Sequence, residues 1–206
     1  MSFGRATDEY IAAQELNADR PEAHMNLGLL YAKENHLDKA AAELKAALSL
    51  DPAFAPAAVN LADLYRAQNR DIEGEHILQD AISRSPSDAS LQHTLGLLMV
   101  RQKQDQKALA LLANAARLDP SSARYTYVYA VALNDTGQTQ SAIETLERNL
   151  TVHPYDRDSL GALVSFCDQA GKHDEALTYA ERLFDLNPED PQAQQMIKTL
   201  RGQLHR

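Results

Sequence analysis

The sequence predicts an all-α fold, an array of helix pairs repeated every 34 residues. Three observations carry that prediction. Pro52, Pro86, Pro120, Pro154 and Pro188 stand 34 residues apart, so five of the eight prolines share one lattice. Small and apolar residues return at the same step; in residues 21–52, PEAHMNLGLLYAKENHLDKAAAELKAALSLDP, they are Leu27, Gly28, Tyr31, Ala40, Leu44 and Ala47. Within each unit they lie three, four and seven apart, which is the face of a helix and not of a strand. A fixed period in this range marks stacked repeats, each of which needs its neighbours to bury its apolar face.

Taken in order, residues 1–20 contain a single amphipathic stretch, GRATDEYIAAQELN at 4–17, with Ala6, Tyr10 and Ala13 at the places of a second helix. The chain thus opens halfway through a repeat, which predicts a longer parent. Five complete units follow at 21–54, 55–88, 89–122, 123–156 and 157–190. Their seventh place reads Leu27, Leu61, Leu95, Tyr129 and Leu163, and the eighth Gly28, Ala62, Gly96, Ala130 and Val164. The eleventh is Tyr31, Tyr65, Met99, Leu133 and Cys167. In the second half, the twentieth is Ala40, Gly74, Ala108, Ala142 and Ala176, and the twenty-fourth Leu44, Leu78, Leu112, Leu146 and Ala180. Tiny residues at the eighth and twentieth places let two helix backbones approach closely. Asn35-His36, Asn69-Arg70, Thr136-Gly137 and Ala170-Gly171 supply turns between paired helices, and each lattice proline forbids continuation of a second helix. The pattern is altered at Val164, Asn149 and Ala180. Residues 191–206 close the array with a capping helix, its apolar face Ala193, Ile197, Leu200 and Leu204.

These places in this register resemble the tetratricopeptide repeat (TPR) family over nearly the whole chain. The resemblance implies a right-handed superhelix (an α-solenoid) of antiparallel helix pairs, with first helices lining a concave groove and second helices outside. RYTYVYAVAL (124–133) and HPYDRD (153–158) also resemble, more weakly, the C-terminal repeat segments of exported bacterial multihaem cytochrome-like proteins. That second likeness implies a periplasmic address; without it the cytoplasm is the default.

Bulk chemistry narrows the partners. The net charge of −9 disfavours nucleic acid and anionic membrane, both of which demand a basic face. No window is long and apolar enough to span a bilayer, and MSFGRATDEY lacks the features of a secretion signal. The single cysteine allows no internal disulfide.

No catalytic or cofactor motif emerges. GxGxxG and GxxxxGK[ST] are absent. The seven histidines are scattered without metal-ligand spacing, and Asp71, Glu73 and Glu75 sit at a helix start, where negative charge suits the dipole. Cys167 occupies an apolar lattice place and reads as a buried small hydrophobe, not a nucleophile. The expectation is a protein without enzymatic activity, cofactor or metal.

The informative residues are those that packing does not need. By the resemblance, the second, fifth, sixth, ninth, twelfth and thirteenth places of each first helix look into the groove. Asn26 and Asn60 share the sixth, and an asparagine amide can pair with the backbone of an extended chain. This is similar to the asparagine ladder in the repeats of O-linked N-acetylglucosamine transferase, though Thr94, Val128 and Ala162 break the series. Asp63 is a further groove candidate, while Arg66, Arg101 and Arg124, together with His93, could receive a ligand carboxylate or acidic side chain, unless internal pairs such as Arg66 with Asp63 or Arg101 with Asp105 consume the charge. Leu97, Tyr127 and Val131 offer apolar surface. The carboxylate clamp of chaperone-binding relatives is not present, because Met25, Leu29, Ser90 and Thr94 stand at its places. The predicted role is a protein-interaction module that takes a peptide segment of a partner protein in its groove. The alternative is a structural module that associates with itself or its parent through the open edge at Ala6, Tyr10 and Ala13.

Overall fold

A computed structural model describes residues 9–12, 16–17 and 19–204. Eleven helices are seen in full among these residues: α1 (Pro21–Lys33), α2 (Leu37–Leu50), α3 (Ala55–Ala67), α4 (Asp71–Arg84), α5 (Ala89–Arg101), α6 (Asp105–Leu118), α7 (Ala123–Asp135), α8 (Thr139–Val152), α9 (Arg157–Gln169), α10 (His173–Leu186) and α11 (Pro191–Leu204). Residues 9–12 are helical as well, and no described residue is in a strand. The fold class is all-α. None of the described helices is long and apolar enough to cross a membrane. Ala6 and Ala13 of the predicted half-unit lie outside the described residues; Tyr10 is 40% exposed.

Two local devices set the helix ends. Each even-numbered helix from α2 to α10 stops two residues before a lattice proline, since proline drives the preceding residue out of the helical region. Asp51, Ser85, Asp119, His153 and Asn187 accordingly have φ of −134, −132, −130, −121 and −153°. Between the helices of each pair, one residue turns left-handed: Asn35, Asn69, Lys103, Gly137 and Gly171, with φ of 62, 58, 58, 81 and 73°. The following amide then reaches back to the eleventh lattice place. His36 donates to the Tyr31 carbonyl at 2.8 Å, Arg70 to Tyr65 at 2.9 Å, Gln138 to Leu133 at 2.9 Å and Lys172 to Cys167 at 2.8 Å. This is the Schellman closure of a helix C-terminus. Lys103 is the exception in chemistry, because neither glycine nor asparagine stands where a side chain is strained.

The helices form two compact units, residues 1–102 and 103–206. In the first unit each helix packs on the next, and first helices also meet, α1 on α3 and α3 on α5. Ala40, Leu44, Ala47, Ala57, Leu61, Leu64 and Tyr65 make one buried cluster. Gly28 is where α1 and α2 approach most intimately: a Cβ there would stand 2.9 Å from Leu44 Cγ and 3.2 Å from the Ala40 carbonyl oxygen. The second unit repeats the scheme, with α7 on α9 and a core built on Leu133, Leu146, Leu160, Leu163 and Cys167. The altered places are filled: Val164 is 4% exposed and Ala180 0%. Asn149 replaces the alanine of earlier units, and its Nδ2 donates to Ser159 Oγ at 2.8 Å, both residues being buried. On α11, Ala193 and Leu200 are buried, whereas Leu204 is 38% exposed and so leaves the predicted apolar face.

Burial carries the stability. Leu44, Leu78, Leu112 and Leu146 are at most 1% exposed, and each such side chain contributes about 1.5–3 kcal/mol. Exposed ion pairs such as Arg84–Asp80 contribute about 0–1 kcal/mol.

Gly28→Leu is expected to destabilise by about 1–3 kcal/mol through overpacking, whereas Gly161→Ala, in a helix with open space around its α-carbon, should stabilise by up to about 1 kcal/mol. Urea melts of both variants check this; equal effects would contradict the packing. Lys103→Asn should stabilise by about 0.5–1 kcal/mol by relieving the left-handed turn, and a lowered denaturation midpoint would refute that assignment.

Candidate peptide-binding faces

In the first unit the candidate residues lie on three adjoining helices, α1, α3 and α5. Asn26 is exposed on α1. Asn60 on α3 donates from Nδ2 to its own helix, to the Pro56 carbonyl at 2.7 Å. Thr94, at the same place on α5, does likewise to Ser90 at 2.8 Å. A short polar side chain inside a helix readily makes this bond, so part of the asparagine ladder's donor capacity is already spent.

The charged residues are mostly engaged. Arg66 gives Nε and Nη2 to Asp63 Oδ1 at 3.2 and 3.0 Å, pairing along its own helix. Arg101 departs from the expected pairing with Asp105. Its Nε donates to Asp71 Oδ2 at 2.8 Å and its Nη2 to Asn69 Oδ1 at 2.6 Å. Because α5 packs on α3, the α3–α4 turn lies beside the end of α5, and Arg101 ties the two together. Arg70 in that turn lies 4.3 Å from the Tyr65 ring centroid, a cation–π contact. Its hydrogen bond to Glu73 raises the guanidinium pKa and lowers that of the carboxyl. His93 is only 6% exposed, which corrects its expected place on an open surface: it is taken into the packing of α5. What remains presented is apolar. Leu29 is 40%, Leu97 37% and Val100 42% exposed.

In the second unit Arg124 is exposed, but Tyr127 and Val131 are half-buried and pack against the core. Both therefore help hold the scaffold, which corrects the reading that packing does not need them. One opening of this unit was not among the sequence candidates. A cleft of about 500 Å³ lies between α9 and α11, lined by Val164, Ser165, Asp168, Pro191, Gln192, Gln195, Met196, Thr199 and Leu200. Ser165 and Asp168 stand at the ninth and twelfth places of their unit, so the signal for one wall was in the sequence. The other wall belongs to the predicted capping helix. Asp168 Oδ1 is held by His173 Nδ1 at 2.9 Å.

Two ionisable groups are perturbed for structural reasons. Cys167 is fully buried, and burial, with Glu175 nearby, pushes its thiol up to about 11. Tyr179 is likewise raised by burial and by donating to Glu147 Oε1 at 2.8 Å, a bond that joins α10 to α8. No group of three or more His, Cys, Asp or Glu among the described residues is arranged to hold a metal ion.

Stacked helix pairs with short turns and exposed first-helix side chains define a repeat scaffold. Residues 21–54 and 93–156 match family profiles described as tetratricopeptide repeat. Those two stretches thus carry tetratricopeptide repeats. Several solved structures share the fold. YrrB, described as a TPR protein with an unusual peptide-binding site, has a TM-score of 0.66 at 21% identity, over 92% of this chain and 97% of that one. PilF of Pseudomonas aeruginosa has a TM-score of 0.74 at 17% identity, over 97% and 86%. Yeast Tom70 has a TM-score of 0.81 at 18% identity, over 100% of this chain and 45% of that chain. No curated protein sequence matches.

Cys167 should resist thiol reagents in the native protein at pH 7.5 and react only on unfolding; stoichiometric labelling of native protein would contradict its burial. Its raised pKa adds stability that is fully present below about pH 9. That stability is lost towards about pH 11, as the unfolded chain's thiol ionises first. Cys167→Ala should flatten that part of the stability profile, measured by denaturant melts at stepped pH.

Proposed function

We propose that the chain is a protein-interaction module that takes a peptide segment of a partner on its first-helix faces. The observation that carries the reading is the exposed apolar surface of Leu29, Leu97 and Val100 on the first helices of the first unit. Packing leaves these side chains partly in water, and the partly spent amide of Asn60 still has a second proton to offer a bound backbone. Hydrogen bonds contribute about 0.5–1.5 kcal/mol each, so apolar contact supplies most of the binding. The unusual peptide-binding site described for YrrB supports such a use of this fold. In the second unit, the cleft between α9 and α11 offers a separate recess for a side chain. Arg66 and Arg101 are assigned to holding the face in shape, since each already faces a carboxylate.

Self-association is the competing reading, favoured by the exposure of Tyr10 and Leu16, at 40% and 86%. Sedimentation over a range of concentrations separates it, because groove binding needs no dimer.

The test is to select binders from a random dodecapeptide library and measure their affinity for variants. Leu97→Asp and Val100→Asp should each weaken binding about tenfold, the scale of an interface residue worth somewhat over 1 kcal/mol. Ile72→Asp, on the exposed side of α4 at 67% exposure, should leave affinity unchanged. Binders indifferent to both first-helix changes would remove the proposal.

A further inference from the structure

The arginines among the described residues fall into two groups. Arg20, Arg66, Arg70, Arg84, Arg101, Arg157 and Arg201 each lie within 4.0 Å of a carboxylate. Arg117, Arg124, Arg148 and Arg182 do not; Arg124 lies on the first helix α7, and the other three sit on the second helices of the second unit, α6, α8 and α10. Arg148 reaches only neutral oxygens, the Glu144 carbonyl and Thr145 Oγ1, each at 3.3 Å. Arg182 donates to the Pro154 carbonyl at 3.2 Å. Arg117 is exposed and makes no hydrogen bond or ion pair among the described residues.

Arg117 and Arg148 line a cleft of about 360 Å³, with Tyr129 and Val152 among its walls. The acids on α8 are turned to other partners: Glu144 accepts from Gln140 at 2.9 Å and Glu147 from Tyr179 at 2.8 Å. On the same helix end and the turn after it, Val152 is 61% and Tyr155 76% exposed. Arginine and tyrosine beside an exposed aliphatic group are the residue types that carry binding energy at interfaces. Screening at physiological salt limits charge effects to about 8 Å, so the local guanidiniums outweigh the net negative charge of the whole chain.

We propose that this outer cleft is a second docking site, distinct from the first-helix faces, for an acidic segment of a partner protein. A carboxylate side chain sits between Arg117 and Arg148, whose guanidinium forks match it. An apolar side chain of the same segment lies against Val152 and Tyr155.

The test is fluorescence anisotropy on the full chain with a labelled dodecapeptide of alternating Glu and Leu. Its rivals are a Lys–Leu peptide of equal length and a thymidine dodecanucleotide. Saturable binding of the Glu–Leu peptide that weakens with salt is expected, with the Lys–Leu peptide and oligonucleotide weaker. Arg117→Glu combined with Arg148→Glu should weaken it about tenfold or more, and Tyr155→Ala about threefold to tenfold. Leu97→Asp should have no effect, which keeps this site's failure separate from that of the first-helix reading. Circular dichroism melts establish that the variants fold, and Arg117→Gln with Arg148→Gln provides a milder pair. The proposal is overturned by no saturation below about 1 mM, by indifference to both arginine pairs, by tighter oligonucleotide binding, or by loss of binding with Leu97→Asp.

Discussion

The structure depends on how the chain reverses between paired helices. One left-handed residue, followed by an amide that reaches back to the eleventh lattice place, ends the first helix and aims the second down its side. Helices of 13 and 14 residues alternate from α1 to α10, separated by short turns. Since each helix residue contributes about 100° of rotation, any slip of one position would carry the lattice leucines off the shared face. The turn geometry therefore sets the register on which burial at Leu44, Leu78, Leu112 and Leu146 rests. Small residues do the rest. At Gly28 there is no room for a methyl group without displacing a buried leucine, so the spacing between α1 and α2 is decided there.

Register in turn separates two kinds of surface. Inside each unit the lattice places are spoken for, and the scaffold can vary elsewhere without loss of fold. The first-helix faces use that freedom for exposed leucine and valine together with ion pairs that are already closed internally. The second-helix side of the second unit uses it differently, for guanidiniums without a carboxylate partner. Where a lattice place does change, the change is compensated at its neighbour. An unpaired buried amide at Asn149 would cost about 1–3 kcal/mol, and its Nδ2 is instead met by the Ser159 hydroxyl at 2.8 Å and the Ala123 carbonyl at 3.5 Å.

Much of the fold was legible because it is local and periodic. Prolines and left-handed turn residues act on their immediate neighbours, so spacing alone placed the helix ends. Lys103 was not legible by residue type; only its position in the period foretold the turn. The surface was harder to read. Arg101 meets Asp71 and Asn69 across about thirty residues of chain, a contact that exists only because α5 packs on α3. Burial of His93 and the half-burial of Tyr127 and Val131 likewise depend on neighbouring helices. The outer arginines carried no sequence signal, since being unpaired is a property of the folded arrangement.

Excising one full period tests the account most directly. Removing residues 55–88 should bring matching lattice places into contact again, and the shortened chain should keep its helical ellipticity per residue and a cooperative, if lower, thermal transition. Removing residues 55–71, half a period, should abolish that cooperativity. If the full-period excision were as damaging as the half-period one, nearest-neighbour register would not be what holds this protein together.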